Sequence, residues 1–144
     1  MLVLDTNVLS ELLRITPDSM VVEWVAAQPL SGLYTTAITE AEMLYGAHLL
    51  AAGPRRRQLE HALAGLFEED FFSRILAFDS AAARFYAEIA AKRKAQGRPI
   101  TQADAQIAAI VASADARLVT RNVRDFEECG IQVINPWSIG VQEA

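Results

Sequence analysis

Three acids in this chain stand where chemistry can be done. Asp5 ends a short apolar run, "LVLD"; Glu42 lies in "AITEAEMLYG"; Asp104 lies in "ITQADAQIAA". If they converge, like charges raise one another's pKa and resist joint ionisation unless a cation sits between them. An all-oxygen donor set suits a hard cation, Mg2+ or Mn2+, and the sequence offers no Cys/His cluster for a softer one. Such a metal lowers the pKa of a bound water and stabilises the attacking and leaving oxygens of an in-line displacement. Phosphodiester hydrolysis then needs no Ser, Cys or His nucleophile. Thr6 and Asn7 beside Asp5, and Thr120 at another strand end, can hydrogen-bond a carboxylate or a bound water and fix its orientation. Arg121, next to Thr120, can approach a scissile phosphate.

Helical geometry decides which acids can share a site. At about 3.6 residues per turn, Glu40 and Glu42 point in widely different directions, so only one serves a pocket. Ile38, Ala41, Leu44, Tyr45 and Leu49 define the expected apolar stripe; Glu42 flanks it and Glu40 faces nearly away. Gly46, one turn after Glu42, leaves space where a larger side chain could crowd a ligand. In "TQADAQIAAIVASAD" the stripe is Ala103, Ile107, Ile110, Val111 and Ala114, with Asp104 beside it. Asp115 shares that azimuth but lies eleven residues on, roughly 16 Å away. Two of these acids, and the pair weighed beside them, also have structural alternatives. Asp5 or Thr6 can cap the next helix, and Asp104 can complete a near-capping box behind Thr101. Asn122 can cap a short helix beginning near Val123, with Asp125 in its first turn.

Five apolar runs are the strands that must hold these residues: 1–4, 32–36, 74–78, 117–120 and 131–135. Helical periodicity fills the intervals. It begins in "TNVLSELL" and "DSMVVEWVAAQ", with Pro17 at a helix start, and continues in 37–53, closed by Gly53, and 54–69, opened by Pro54. The alanine-rich run 80–96 stops at Gly97 and Pro99, and a last long helix starts at Thr101. Strands alternating with helices predict an α/β fold, one domain over residues 1–144, with a central parallel sheet of about five strands and helices on both faces. In open sheets of that kind, ligands gather beyond the carboxyl ends of the strands where strand order reverses. Asp5 stands at such an end.

The 144 residues, 52% hydrophobic and 22% charged, suffice for one buried core and exclude extended disorder. The single cysteine, Cys129, excludes an internal disulfide framework and a cysteine zinc site, and is read as an inert thiol. "MLVLDTNV" is no basic leader, and no apolar run nears the roughly 20 residues that span a bilayer, so a cytoplasmic location off the membrane is expected. His48 and His61 lack metal-spaced partners and are read as core or surface residues. Trp24, Trp137, Phe71, Phe72 and Phe126 are read as packing or dimer-face residues. A net charge of -5 by itself disfavours nucleic acid, yet the cations bunch at Arg55, Arg56 and Arg57, at Lys92, Arg93 and Lys94, and around Arg121. These clusters could grip RNA phosphates around an acidic centre, and each could equally be a solvated helix end. The chain lacks GxGxxG after its first strand and GxxxxGK[ST] anywhere, which argues against dinucleotide and P-loop sites. An aspartyl nucleophile at Asp5 is disfavoured because "DTN" lacks a second nearby acid.

Taken together, "LVLDTNVLSELL", "AITEAEMLYGAHLL" and "ITQADAQIAAIVASADARLVTRNVRDFEECGIQVINPW" resemble the PIN-domain family, and within it the VapC/FitB-type toxins of bacterial toxin-antitoxin pairs. The resemblance covers essentially the whole chain. It implies a metal-dependent endoribonuclease that hydrolyses RNA by a water activated by Mg2+ or Mn2+. It matches Asp5, Glu42 and Asp104 to the three acids of the family's site, both catalytic and metal-binding. It also implies a homodimer and an antitoxin partner, a DNA-binding protein often of ribbon-helix-helix type, whose tail blocks the active site. The chain departs from the pattern at Asn122, where many relatives carry a fourth acid. An amide oxygen can bind a metal or its water without adding charge, and Asp125 is the nearby substitute. The departure bears on a second metal more than on the first. It leaves open an alternative, a catalytically weak or inactive module that binds RNA or a partner protein.

Overall fold

Alternate residues of a strand face opposite sides of its sheet, and the first strand divides accordingly. Leu2 and Leu4 pack into one apolar cluster and Val3 into another. In this computed structural model, which describes residues 1–139, that strand is β1 (Leu2–Leu4). The others are β2 (Leu33–Thr36), β3 (Ile75–Leu76), β4 (Arg117–Val119) and β5 (Gln132–Ile134). They form one five-stranded sheet in the order β3-β2-β1-β4-β5, with every pairing parallel. The chain thus passes from β1 to β2 on one side and returns to β4 on the other. Strand order reverses at β1, and the ends of β1 and β4 are neighbours, Leu4 aligned with Val119.

Parallel strands need crossovers, and helices supply them. After β1 come α1 (Thr6–Leu12) and α2 (Ser19–Ala26); after β2, α3 (Ala37–His48) and α4 (Pro54–Ala64); after β3, α5 (Ser80–Ala95) and α6 (Gln102–Ser113). On one face Leu2, Leu4, Leu33 and Val119 pack with Val8, Leu9, Val21, Ala47 and Leu63. On the other, Val3 and Leu118 pack with Ala82 and Ile89 of α5 and with Ile107 to Val111 of α6. The α/β architecture with helices on both faces is the one expected from the alternation of elements.

Three local expectations are corrected. α3 stops at His48, and Gly53 instead precedes α4 as its N-cap. α4 is α-helical only to Ala64; Gly65–Asp70 widens into a π-helical turn, with the Phe71 N–H donating to the Leu66 carbonyl at 2.9 Å. The wider turn brings Leu66, Phe67 and Phe71 into one core cluster. On α3, Leu44, Tyr45 and Leu49 are exposed; the buried residues are Thr39 and Ala47, with Met43 half-buried. Of the large apolar side chains of α3, Ile38 and Met43 pack against the two core clusters, while Leu44, Tyr45 and, at its C-cap, Leu49 face out.

Candidate active site

Asp5 follows β1, and its N–H donates to the Val119 carbonyl at 2.9 Å, continuing the pairing with β4. It is the N-cap of α1, one carboxylate oxygen accepting from the Thr6 N–H at 2.8 Å. The other oxygen accepts from the Thr120 hydroxyl at 2.8 Å. Thr120 in turn accepts from Asn7 Nδ2 at 3.0 Å and from the Asn122 N–H at 3.1 Å, while Asn7 Oδ1 accepts from the Arg121 N–H at 3.0 Å. The capping role and the site role of Asp5 therefore coexist: a carboxylate offers about four acceptor positions, and the cap takes one. Thr6 donates its hydroxyl proton to Thr39 at 3.1 Å, which ties α1 to the first turns of α3, where Glu42 lies.

Asp104 sits in the first turn of α6, whose cap is Thr101; the Asp104 N–H donates to the Thr101 hydroxyl at 3.2 Å. Burial pushes the pKa of Asp5 up, the hydrogen bonds from Thr120 and Thr6 oppose that, and the charges of Asp104 and Asp125 add to it. Glu42 is raised by partial burial and then by Asp5 and Asp104, although much of its side chain meets solvent. Asp104 is raised by burial and by Asp125, against Thr101 and Arg93. Each acid feels at least one of the others, so the fold brings Asp5, Glu42, Asp104 and Asp125 into one electrostatic neighbourhood.

Between the two residues weighed for the fourth position, the charge comes from Asp125. Asn122 precedes the 3-10 turn Val123–Phe126, but its side chain makes no capping hydrogen bond. That turn is held by a residue read from sequence as an RNA contact. Arg93 is 5% exposed; its guanidinium donates to the carbonyls of Arg98, Asp125 and Glu127 at 2.8, 2.9 and 3.0 Å and lies 3.5 Å from Cys129 Sγ. A cation so enclosed cannot reach phosphate, and Arg93 is withdrawn from the RNA-binding set. Its spacing carried the signal: it falls one turn after Ile89 on the buried face of α5.

The other cations divide. Arg55 borders the same cleft as Thr6 and Glu42, and Arg57 is exposed. Arg56 is engaged by Glu60 at 2.6 Å and His48 at 2.7 Å. Lys92 pairs with Glu128 at 3.6 Å in a separate groove beside Cys129, and Lys94 is exposed. Arg121 lies 5.0 Å from the Trp137 ring centroid, a cation–π contact beside Thr120. Two further residues of the site's support had no sequence signal beyond their hydroxyls: Thr39, bonded to Thr6, and Thr35, whose hydroxyl donates to the Leu4 carbonyl at 3.0 Å.

The donor set suits a hard divalent cation: carboxylates, amide and hydroxyl oxygens, each acid disfavoured as an anion by burial and by its neighbours. Among the described residues no three His, Cys, Asp or Glu side chains already enclose a point tightly enough to hold an ion. Mg2+ keeps several waters and takes only one or two carboxylates directly, so acids that do not close on a single point fit it through its waters. Among the described residues no helix is long and apolar enough to cross a membrane.

Comparison with known proteins places this geometry in a family. The chain is 41% identical to VapC ribonuclease Y4jK of Sinorhizobium fredii, over 95% of this chain and 98% of that one. It is 38% identical to Toxin FitB of Neisseria gonorrhoeae, over 95% and 99%. A chain of the structure of FitAB bound to IR36 DNA fragment superposes with a TM-score of 0.89 at 38% identity, over 95% of this chain and 96% of that one. Residues 2–131 match the PIN domain. With nearly its full length covered in each case, the chain belongs to the PIN domain family.

Proposed function

We propose that this protein is a metal-dependent endoribonuclease and the toxin of a toxin-antitoxin pair. One observation carries the reading: at the switch point of a parallel sheet, the end of β1 holds Asp5 in a hydrogen-bonded cluster with Thr6, Asn7 and Thr120, and Asp5, Glu42 and Asp104 are each raised by burial and by the charge of a neighbouring acid. Asp5, Glu42 and Asp104 would hold Mg2+ or Mn2+, with Asp125 rather than Asn122 completing the ring of charge. When bound, the metal supplies a lowered pKa to water and neutralises charge at the phosphate. Thr120 and Asn7 hold the Asp5 carboxylate in one orientation, Thr6 ties α1 to α3, and Arg121 offers a cation to phosphate beside the acids. The similarity to proteins named ribonuclease and toxin supports RNA as the substrate. The similarity to a chain of a DNA-bound FitAB assembly supports a DNA-binding antitoxin partner. Exposed Leu44, Tyr45 and Leu49 on α3 are consistent with a face covered in a homodimer. The alternative of an inactive binding module drew on Asn122, and the charge of Asp125 weakens it.

The test uses purified, partner-free protein, a pool of structured RNAs and Mg2+ or Mn2+. Cleavage is expected, and chelation and Asp104→Asn should each remove it. Cleavage undiminished in the variant removes Asp104 from the mechanism, and no cleavage by folded, metal-loaded wild type favours the binding module.

A further inference from the structure

Gly46 is a glycine that the fold does not require. It lies inside α3, where glycine destabilises a helix relative to alanine. The glycines at positive φ are Gly53, Gly97 and Gly130, so no left-handed backbone calls for one at 46. A Cβ built on Gly46 meets nothing within 4 Å, so no close packing calls for it either. What Gly46 does border is a cleft of about 570 Å³, a size suited to a small ligand. Thr6 and Glu42 stand at one part of that cleft, Leu13, Met43, Leu59 and Leu63 supply apolar walls, and Arg14 and Arg55 are exposed at its rim. Arg14 pairs with Glu11 at 3.4 Å, whereas Arg55 enters no ion pair among the described residues.

We propose that this cleft receives the nucleotide next to the scissile phosphate, its base against the apolar walls and its own phosphate at Arg55, with Gly46 keeping the space open. The proposal rests on the ribonuclease reading for its substrate class. Charge complementarity selects the occupant. Glu42 and Thr6 are the part of the cleft nearest the site where the reacting phosphate would be held, and a chain leaving that point must place an unstacked base and then another anion. The cleft meets it with apolar side chains and then the exposed Arg55 guanidinium. Single-stranded RNA presents such splayed bases.

The experiment measures RNA affinity under chelation and cleavage with Mg2+, for wild type, Gly46→Ala and Gly46→Leu, using RNAs each abasic at one position. Gly46→Leu should bind intact RNA on the order of tenfold more weakly. Its Mg2+ affinity by calorimetry should be unchanged and its melting temperature no lower than that of wild type. For one abasic position, wild type should lose the same affinity, and the two losses should not add. If Gly46→Leu does not fold, Gly46→Ala decides, with a smaller loss in the same direction. RNA affinity equal to wild type in the folded variant overturns the proposal, as does loss of a protein partner with RNA affinity intact, or no RNA binding by wild type. Binding without cleavage by wild type, with the Gly46 effect still present, would sink the nuclease reading and leave the cleft assignment standing.

Discussion

Asp5 caps α1 with the same carboxylate that the proposed function assigns to the metal, and the two tasks can be separated by substitution. Asparagine can still cap α1 through its amide oxygen, but it cannot supply the charge a metal needs. Asp5→Asn should lower kcat/KM on the order of a thousandfold, about 4 kcal/mol, with an unchanged circular dichroism spectrum; an undiminished rate would remove Asp5 from the mechanism. Thr120→Val deletes the hydroxyl bonded to Asp5 and should weaken metal binding roughly 10- to 100-fold by calorimetry. Glu42 gives a prediction about pH. Its pKa is raised by partial burial and by Asp5 and Asp104. The folded state therefore holds that proton to higher pH than the unfolded state. The stability so contributed is complete below the ordinary carboxylate range and lost as pH rises through the raised folded pKa. Metal-free Glu42→Gln should melt above wild type at about pH 8 and lose that advantage by about pH 4. A gap that does not change with pH would mean that ionisation of Glu42 is not what the fold resists.

At the scale of elements, α5 does more than cover the sheet. Its buried Arg93 donates to the Asp125 and Glu127 carbonyls at the turn that carries Asp125, and to the Arg98 carbonyl just beyond its own helix, with no carboxylate partner. Arg93→Met should cost about 2–4 kcal/mol in urea unfolding, because the buried guanidinium's three charge-assisted hydrogen bonds to backbone are lost. Arg98→Gln, which breaks a solvent-screened ion pair to exposed Glu127, should lower stability much less than Arg93→Met. Equal losses in the two variants would contradict the brace. The same element marks the limit of what the sequence revealed. "KRK" at 92–94 reads as a solvated cationic end, and only the helical offset from Ile89 turns its middle residue inward. α3 misled in the opposite sense: Leu44, Tyr45 and Leu49 look like core, yet the fold buries Thr39 and Ala47. Hydrophobicity alone cannot tell a buried stripe from a face left for a partner. The strands were legible because each is a short apolar run between helical stretches, and Asp5 was legible because an acid follows one of them directly.

At the scale of the whole molecule, a chain of net charge -5 must meet a polyanion through local fields. Arg55, Arg57 and Arg121 are exposed and Arg93 is not, so charge reversal at Arg55 and Arg57 should weaken RNA binding and flatten its salt dependence. An unchanged slope would remove that cluster from the interface. A dimer is expected in light scattering, and Leu44→Asp with Leu49→Asp should yield a monomer if the exposed face of α3 is what pairs. The central claim, that these acids serve hydrolysis by water at phosphorus, is tested most directly by the ends of the cleaved RNA. An oligonucleotide carrying a 2′-deoxy sugar at the cleaved position should still be cut with Mg2+, yielding a hydroxyl end and a phosphate end and no cyclic phosphate. Failure to cut the 2′-deoxy substrate, 2′,3′-cyclic phosphate ends on ordinary RNA, or cleavage that survives chelation would contradict it.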